Sequence, residues 1–137
     1  MGSHASVRIL LDTHYLIWLA SRPALLTAAE HFLISQADHE LYISPVSIWE
    51  VRLKWQTVDR NGERKGILAP DDALTYVDKT DLRLATLTGG DCAAMLDPPI
   101  PHKDPFDEML LIHAAQLDAK FLTRDKQLRD HPLAITA

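Results

Sequence analysis

Residues Val7 to Leu11 are apolar apart from Arg8, and the run stops at a carboxylate, Asp12. A short apolar run without polar alternation reads as a strand covered on both faces. This constrains the chain more than any other feature: the strand must lie inside a layered fold, with an acid at its end. A carboxylate closing an apolar strand needs a partner, because burying an unpaired charge is costly.

The same kind of segment recurs along the chain, separated by helical stretches. Thr13 to Ala20 reads as a helix, and Pro23 opens a second one over roughly Ala24 to Gln36. Leu41 to Ile43 is a short strand. Ser44-Pro45 then supplies an N-cap and a first helical residue for a helix to about Thr57. Residues 58–69 carry Asn61-Gly62 and Gly66 and read as a loop. Pro70-Asp71-Asp72 opens a helix to about Lys79, Leu82 to Leu87 is a third strand, and a short helix follows around Cys92 to Leu96. Three prolines make 97–101 a loop. Asp104-Pro105 caps a helix to Leu117, Lys120 to Leu122 is a strand, a last helix starts near Thr123 to Asp125, and Leu133 to Thr136 is a final strand. Strands alternating with helices indicate an α/β sandwich around a mostly parallel sheet. Met1 to Ser6 read as an expression scar, and residues 7–137 as one domain.

Composition narrows the function class. Hydrophobic residues make up 47% of the 137 and charged residues 24%, as in an ordinary globular chain. Cys92 is the only cysteine, so no internal disulfide forms, and the expected compartment is the cytoplasm. The histidines show neither HExxH nor paired spacing with cysteine, which argues against zinc. No stretch approaches the length of a membrane span. The net charge of −5 counts against a nucleic-acid binder, unless several of the acids are gathered around divalent cations.

Four acids qualify for such a site. In open parallel sheets, ligands bind at the carboxyl ends of strands. Asp12 and Asp125 follow strands, while Glu50 and Asp107 lie near the starts of helices that begin at the same edge. Glu50 shares a face with Val46 and Leu53, and Asp107 with Leu111 and Ala114. Taken singly, each has a plain reading: Asp107 complements a helix dipole, Glu50 completes a capping box with Ser47, and Asp125 is a first-turn acid after Thr123. Taken together, four carboxylates at one edge repel each other unless cations hold them, and all-oxygen acidic sites suit Mg²⁺ or Mn²⁺.

Leu10-Leu11-Asp12-Thr13-His14, Ser47-Ile48-Trp49-Glu50, His102-Lys103-Asp104-Pro105-Phe106-Asp107 and Leu122-Thr123-Arg124-Asp125 together resemble a VapC-like toxin of the PIN-domain family. The likeness runs from Val7 nearly to the end. It implies a PIN-like three-layer sandwich with four or five parallel strands, and an endoribonuclease using Mg²⁺ (or Mn²⁺). It also implies an RNA substrate, a small cognate antitoxin and a homodimer. The family's four acids fall on Asp12, Glu50, Asp107 and Asp125, and Thr123 matches a hydroxyl position near the metal. Glu108 departs from the pattern, since relatives with this block usually carry arginine there.

Further candidates surround these acids. Lys54, Arg60, Arg64 and Lys65 form a basic stretch in which Trp55 offers a ring for stacking on an unpaired base, or else a core or dimer contact. Arg124 and Lys126 flank Asp125 and offer phosphate contacts. His102 offers another substrate contact, and Asp104 reads as an N-cap rather than a ligand. Two other classes compete: a non-catalytic RNA- or antitoxin-binding module of the same fold, and a phosphotransferase using Asp12 as nucleophile. The second lacks the usual aspartate two residues on, where this chain has His14. No GxGxxG follows the first strand, which disfavours a dinucleotide site.

Overall fold

The computed structural model describes residues 7–101 and 104–137. The expected expression scar and His102 lie outside them. Among the described residues five strands form one sheet: β1 (Val7–Leu11), β2 (His39–Ile43), β3 (Arg83–Leu84), β4 (Lys120–Leu122) and β5 (Ala134–Ile135). All pairings are parallel, in the order β3-β2-β1-β4-β5. Six helices accompany them: α1 (Thr13–Ser21), α2 (Ala28–Ile34), α3 (Pro45–Gln56), α4 (Pro70–Lys79), α5 (Gly89–Ala93) and α6 (Pro105–Gln116).

The central strand behaves as its composition requires. Ile9 and Leu11 pack into one apolar cluster with Tyr15, Leu16, Ile43, Val51 and Val77. Leu10 points the other way, into a cluster with Leu110, Leu111, Ala114, Phe121 and Leu128. Each face of the sheet is therefore covered, which is why β1 shows no polar alternation. The chain builds outward from β1 to β2 and β3, then returns to lay β4 on the other side of β1. The order reverses between β1 and β4, and a crevice opens at the carboxyl ends of strands flanking such a reversal.

Several boundaries differ from the sequence reading. Pro23 opens only a 3₁₀ turn (Pro23–Leu25). The helix proper starts at Ala28, because Thr27 and Glu30 form a reciprocal capping box. β3 is two residues long, although the Ala85 amide still donates to the Ile43 carbonyl at 2.9 Å. The short helix begins at Gly89 rather than Cys92, since Thr88 and Asp91 form another capping box. No helix follows Asp125. That stretch folds as turns that bury Leu128 and deliver β5, with Pro132 opposing helical continuation. Residues 58–69 hold one antiparallel bridge, Val58 to Arg64, around a turn with Gly62 at φ 76°.

A buried polar chain locks α6 to the start of α3. His113 Nδ1 lies 2.8 Å from Ser44 Oγ and its Nε2 lies 3.0 Å from the Thr86 carbonyl. A carbonyl only accepts, so Nε2 carries the proton and Nδ1 accepts from the Ser44 hydroxyl. Ser44 Oγ also accepts from the Val46 amide as N-cap. Ser44→Ala removes both bonds and leaves His113 Nδ1 unsatisfied. It should lower stability by about 1–3 kcal/mol in urea unfolding; an unchanged midpoint would show that the chain does not lock the helices.

Candidate functional site

Asp12 continues the sheet ladder, its amide donating to the Leu122 carbonyl at 3.0 Å, and so stands where β1 and β4 end together. Its carboxylate caps α1 by accepting from the His14 amide at 3.3 Å. The other oxygen accepts from the Thr123 hydroxyl at 2.7 Å, and His14 Nδ1 lies 3.4 Å from the first. Asp12 is only 8% exposed. Burial alone would raise its pKa. The donors from His14 and Thr123 outweigh that, holding the carboxyl below its ordinary value.

Thr123 is fully buried and acts twice, since its Oγ also accepts from the Asp125 amide at 3.0 Å. One hydroxyl thus ties Asp12 to the segment bearing Asp125, whose carboxylate accepts from the Gln127 amide at 2.9 Å. Glu50 has a comparable support. Thr13 Oγ lies 2.6 Å from Glu50 Oε1 and 2.8 Å from Ser47 Oγ. Thr13 has one proton to give, and a carboxylate can only accept it, so Ser47 donates to Thr13 and Thr13 to Glu50. Lys54, one turn on, has its ammonium 3.9 Å from Glu50. Asp104 caps α6, accepting from the Phe106 amide at 2.9 Å and the Asp107 amide at 3.3 Å, as its sequence position indicated.

These groups face one space. Asp12, Glu50, Asp107 and Asp125 all line a cavity of about 350 Å³, together with Asp104, His14, Tyr15, Trp18 and Arg124. Four acids from four separate stretches therefore meet at the β1–β4 crevice. Among the described residues no three His, Cys, Asp or Glu side chains form a ready-made metal cluster. The donor set is all oxygen around a buried, ionised Asp12, which fits a hard divalent cation by its chemistry.

Arg124, offered by the sequence as a phosphate contact, lines the acidic cavity and is also bound on its far side. Its Nε and Nη2 donate to Glu30 at 2.7 and 2.5 Å, and Nη2 also reaches the Leu25 carbonyl at 2.7 Å. Its guanidinium lies 4.2 Å from the Trp18 ring centre. Trp55 and Arg64 are likewise occupied with each other: Arg64 lies 4.3 Å over the indole and donates to the Trp55 carbonyl at 2.6 Å. That pairing covers a ring face expected to stack on a base, and neither residue lines the acidic cavity. Lys54 is beside the site, while Lys65 lines a second cavity next to it. Glu108 is exposed in the first turn of α6.

A family model, PIN domain, matches residues 9–132. The chain belongs to the PIN domain family. Its fold is similar to VapBC2 from Rickettsia felis, solved bound to a DNA fragment from their promoter. The TM-score is 0.60 at 10% identity, over 96% of this chain and 98% of that one. DNA-bound VapBC from Salmonella typhimurium gives a TM-score of 0.56 at 18% identity, over 96% and 97%. No curated protein sequence matches the chain. The VapC-like PIN fold inferred from the four sequence blocks is thereby borne out.

Sequence reasoning missed Thr13, Ser47, His14, Trp18 and Glu30. Ser47 stands one helical turn before Glu50, and Thr27-x-x-Glu30 is a capping-box signature, so two of these left a trace. Glu30 is 2% exposed and accepts from Arg124, from the Thr27 amide at 2.8 Å and from the Tyr15 hydroxyl. The Arg124 bonds, against the cost of burial, bring its pKa down to about 2. A depressed carboxyl stabilises the fold above its unfolded value of about 4.5 and loses that contribution as pH falls through about 2. Glu30→Gln should therefore cost on the order of 3 kcal/mol near neutral pH. The gap from wild type should narrow between pH 5 and 2 in denaturant unfolding; a gap independent of pH would contradict the assignment.

Proposed function

We propose that this chain is a metal-dependent endoribonuclease that hydrolyses RNA phosphodiester bonds, and the toxin of a toxin–antitoxin pair. One observation carries the reading: Asp12, Glu50, Asp107 and Asp125 line one cavity where β1 and β4 end. Membership of the PIN domain family supports it. The partner is a small cognate antitoxin, a reading supported by fold likeness to VapBC structures. The acting form is a homodimer in the cytoplasm. Among the described residues no helix is long and apolar enough to cross a membrane.

Asp12 and Asp107 are the residues we assign to direct cation binding, with Glu50 and Asp125 ligating directly or through water. A bound Mg²⁺ or Mn²⁺ would supply an acidified water for attack and neutralise charge developing on the phosphate. The chain's own contribution is orientation. Thr123 fixes one oxygen of Asp12 and, through the Asp125 amide, the approach of the fourth acid. Thr13 aligns Glu50, while Ser47 aligns Thr13. Such supporting hydrogen bonds around ligands typically affect metal affinity or activity by about 10–100-fold. By likeness to the family, the products carry 5′-phosphate and 3′-hydroxyl ends. A binding module that had lost catalysis would have no need to keep all four acids on one cavity.

The test is cleavage of a mixed RNA pool. The purified chain should degrade it with Mg²⁺ or Mn²⁺ and stop on addition of EDTA. Asp12→Asn, which still caps α1, should fold normally but cut at least about 100-fold more slowly. Thr123→Val should fall by about 10–100-fold. Wild-type rates in Asp12→Asn would remove the nuclease reading.

A further inference from the structure

The acidic cavity opens beside a second one of about 210 Å³, and the two share His14 and Trp18 as lining residues. Its floor is apolar, from Ile17, Val51 and Leu68, and two lysines, Lys54 and Lys65, also line it. Lys54 leans toward Glu50 at 3.9 Å, tying this cavity to the acids. The Lys65 side chain is exposed, and no ion pair or side-chain hydrogen bond holds its ammonium among the described residues.

The backbone that presents Lys65 is held in place. Its amide donates to the Thr57 carbonyl at 2.9 Å. Gly66 packs so closely on α3 that a Cβ there would lie 2.6 Å from Trp55 Cα. A side chain at that position would force the strip outward, so Lys65 is carried on a fixed edge and not on a free loop.

We propose that this second cavity is a subsite for one unpaired nucleotide of a single-stranded RNA, next to the phosphate held at the acids. The inference rests on the nuclease reading for its substrate and adds where the neighbouring residue of that substrate sits. The apolar floor of Ile17, Val51 and Leu68 takes the face of a base, and the lysines take its phosphate. The volume is below the roughly 300–1,000 Å³ of sites for drug-sized ligands, which suits one planar ring. The charge also points to a polyanion: the acids alone would repel one, and the flanking cations lie where a strand leaving them would pass.

The experiment is equilibrium binding of fluorescein-labelled hexauridylate by anisotropy with Mg²⁺, in an Asp107→Asn background that slows cutting. Lys65→Glu, an exposed change that leaves the core intact, should raise Kd about tenfold and lower the salt slope by about one. Ile67→Ala, which trims an exposed apolar wall residue of the same cavity, should weaken binding at least about threefold with the salt slope unchanged. Unlabelled hexauridylate should compete, and the same sequence in a duplex should not. An unchanged Kd in both variants overturns the subsite, as does equal competition by an acidic peptide, which would make the cavity a protein-docking surface. If wild type fails to cut RNA yet the Lys65 and Ile67 effects hold, the nuclease reading falls and the subsite stands. If wild type cuts and both variants bind normally, the subsite alone falls.

Discussion

A carboxylate at the end of a fully covered strand must be paid for by its surroundings, and the architecture around Asp12 follows from that. Being 8% exposed, it cannot rely on water. It takes hydrogen bonds from the His14 amide in the first turn of α1 and from a threonine just past the end of β4. The threonine donor is there only because β4 returns to lie beside β1, so the sheet order helps to hold one side chain ionised. Replace the β1–β4 pairing with another order, and Thr123 no longer reaches Asp12 across 111 positions of sequence.

The same end of β4 is anchored from a second direction. Arg124, between Thr123 and Asp125, is drawn into Glu30 on α2 and lies against Trp18 on α1. A bidentate pair with a buried carboxylate is directional, because the planar guanidinium fixes two bonds at once. The segment bearing Thr123 and Asp125 is consequently held by hydroxyl bonds on its inner side and by the guanidinium on its outer side. This gives a turn-rich stretch a defined position without a helix, and explains why the last helix suggested by the sequence is not needed to set Asp125.

What could be read beforehand followed from local rules. β1, the start of α3 at Ser44-Pro45 and the cap at Asp104 rest on neighbouring residues, and they formed where expected. The four acids could be grouped because strand ends and helix starts share one edge of a parallel sheet. What stayed open has a different cause. Trp55 read equally as a base platform or a packing contact, and Arg124 as a phosphate contact or a surface residue, and the sequence did not show the partners that both take. Arg64 is nine positions from Trp55, and Glu30 is 94 from Arg124. No periodicity encodes such pairings. Glu30 was hidden by its own helix, where an acid three residues after Thr27 reads as a cap and nothing else. In the structure it is cap and buried counter-ion together.

The net charge of −5 is a poor guide for the same reason. A carboxylate affects a distant polyanion only if its charge is uncompensated and near the approach path, and Glu30 and Glu40 fail the first condition. Glu30 is neutralised by Arg124, while Glu40 is paired with Arg8 at 3.8 Å and Arg83 at 2.5 Å. Paired charges contribute little field beyond a Debye length of about 8–10 Å in physiological salt. Against that background the ammonium of Lys65, unpaired among the described residues, weighs more than its one unit suggests, and five other acids line the cavity where cation binding would reverse their effect. The distribution of charge, and not its sum, decides whether an acidic chain of this size can meet RNA.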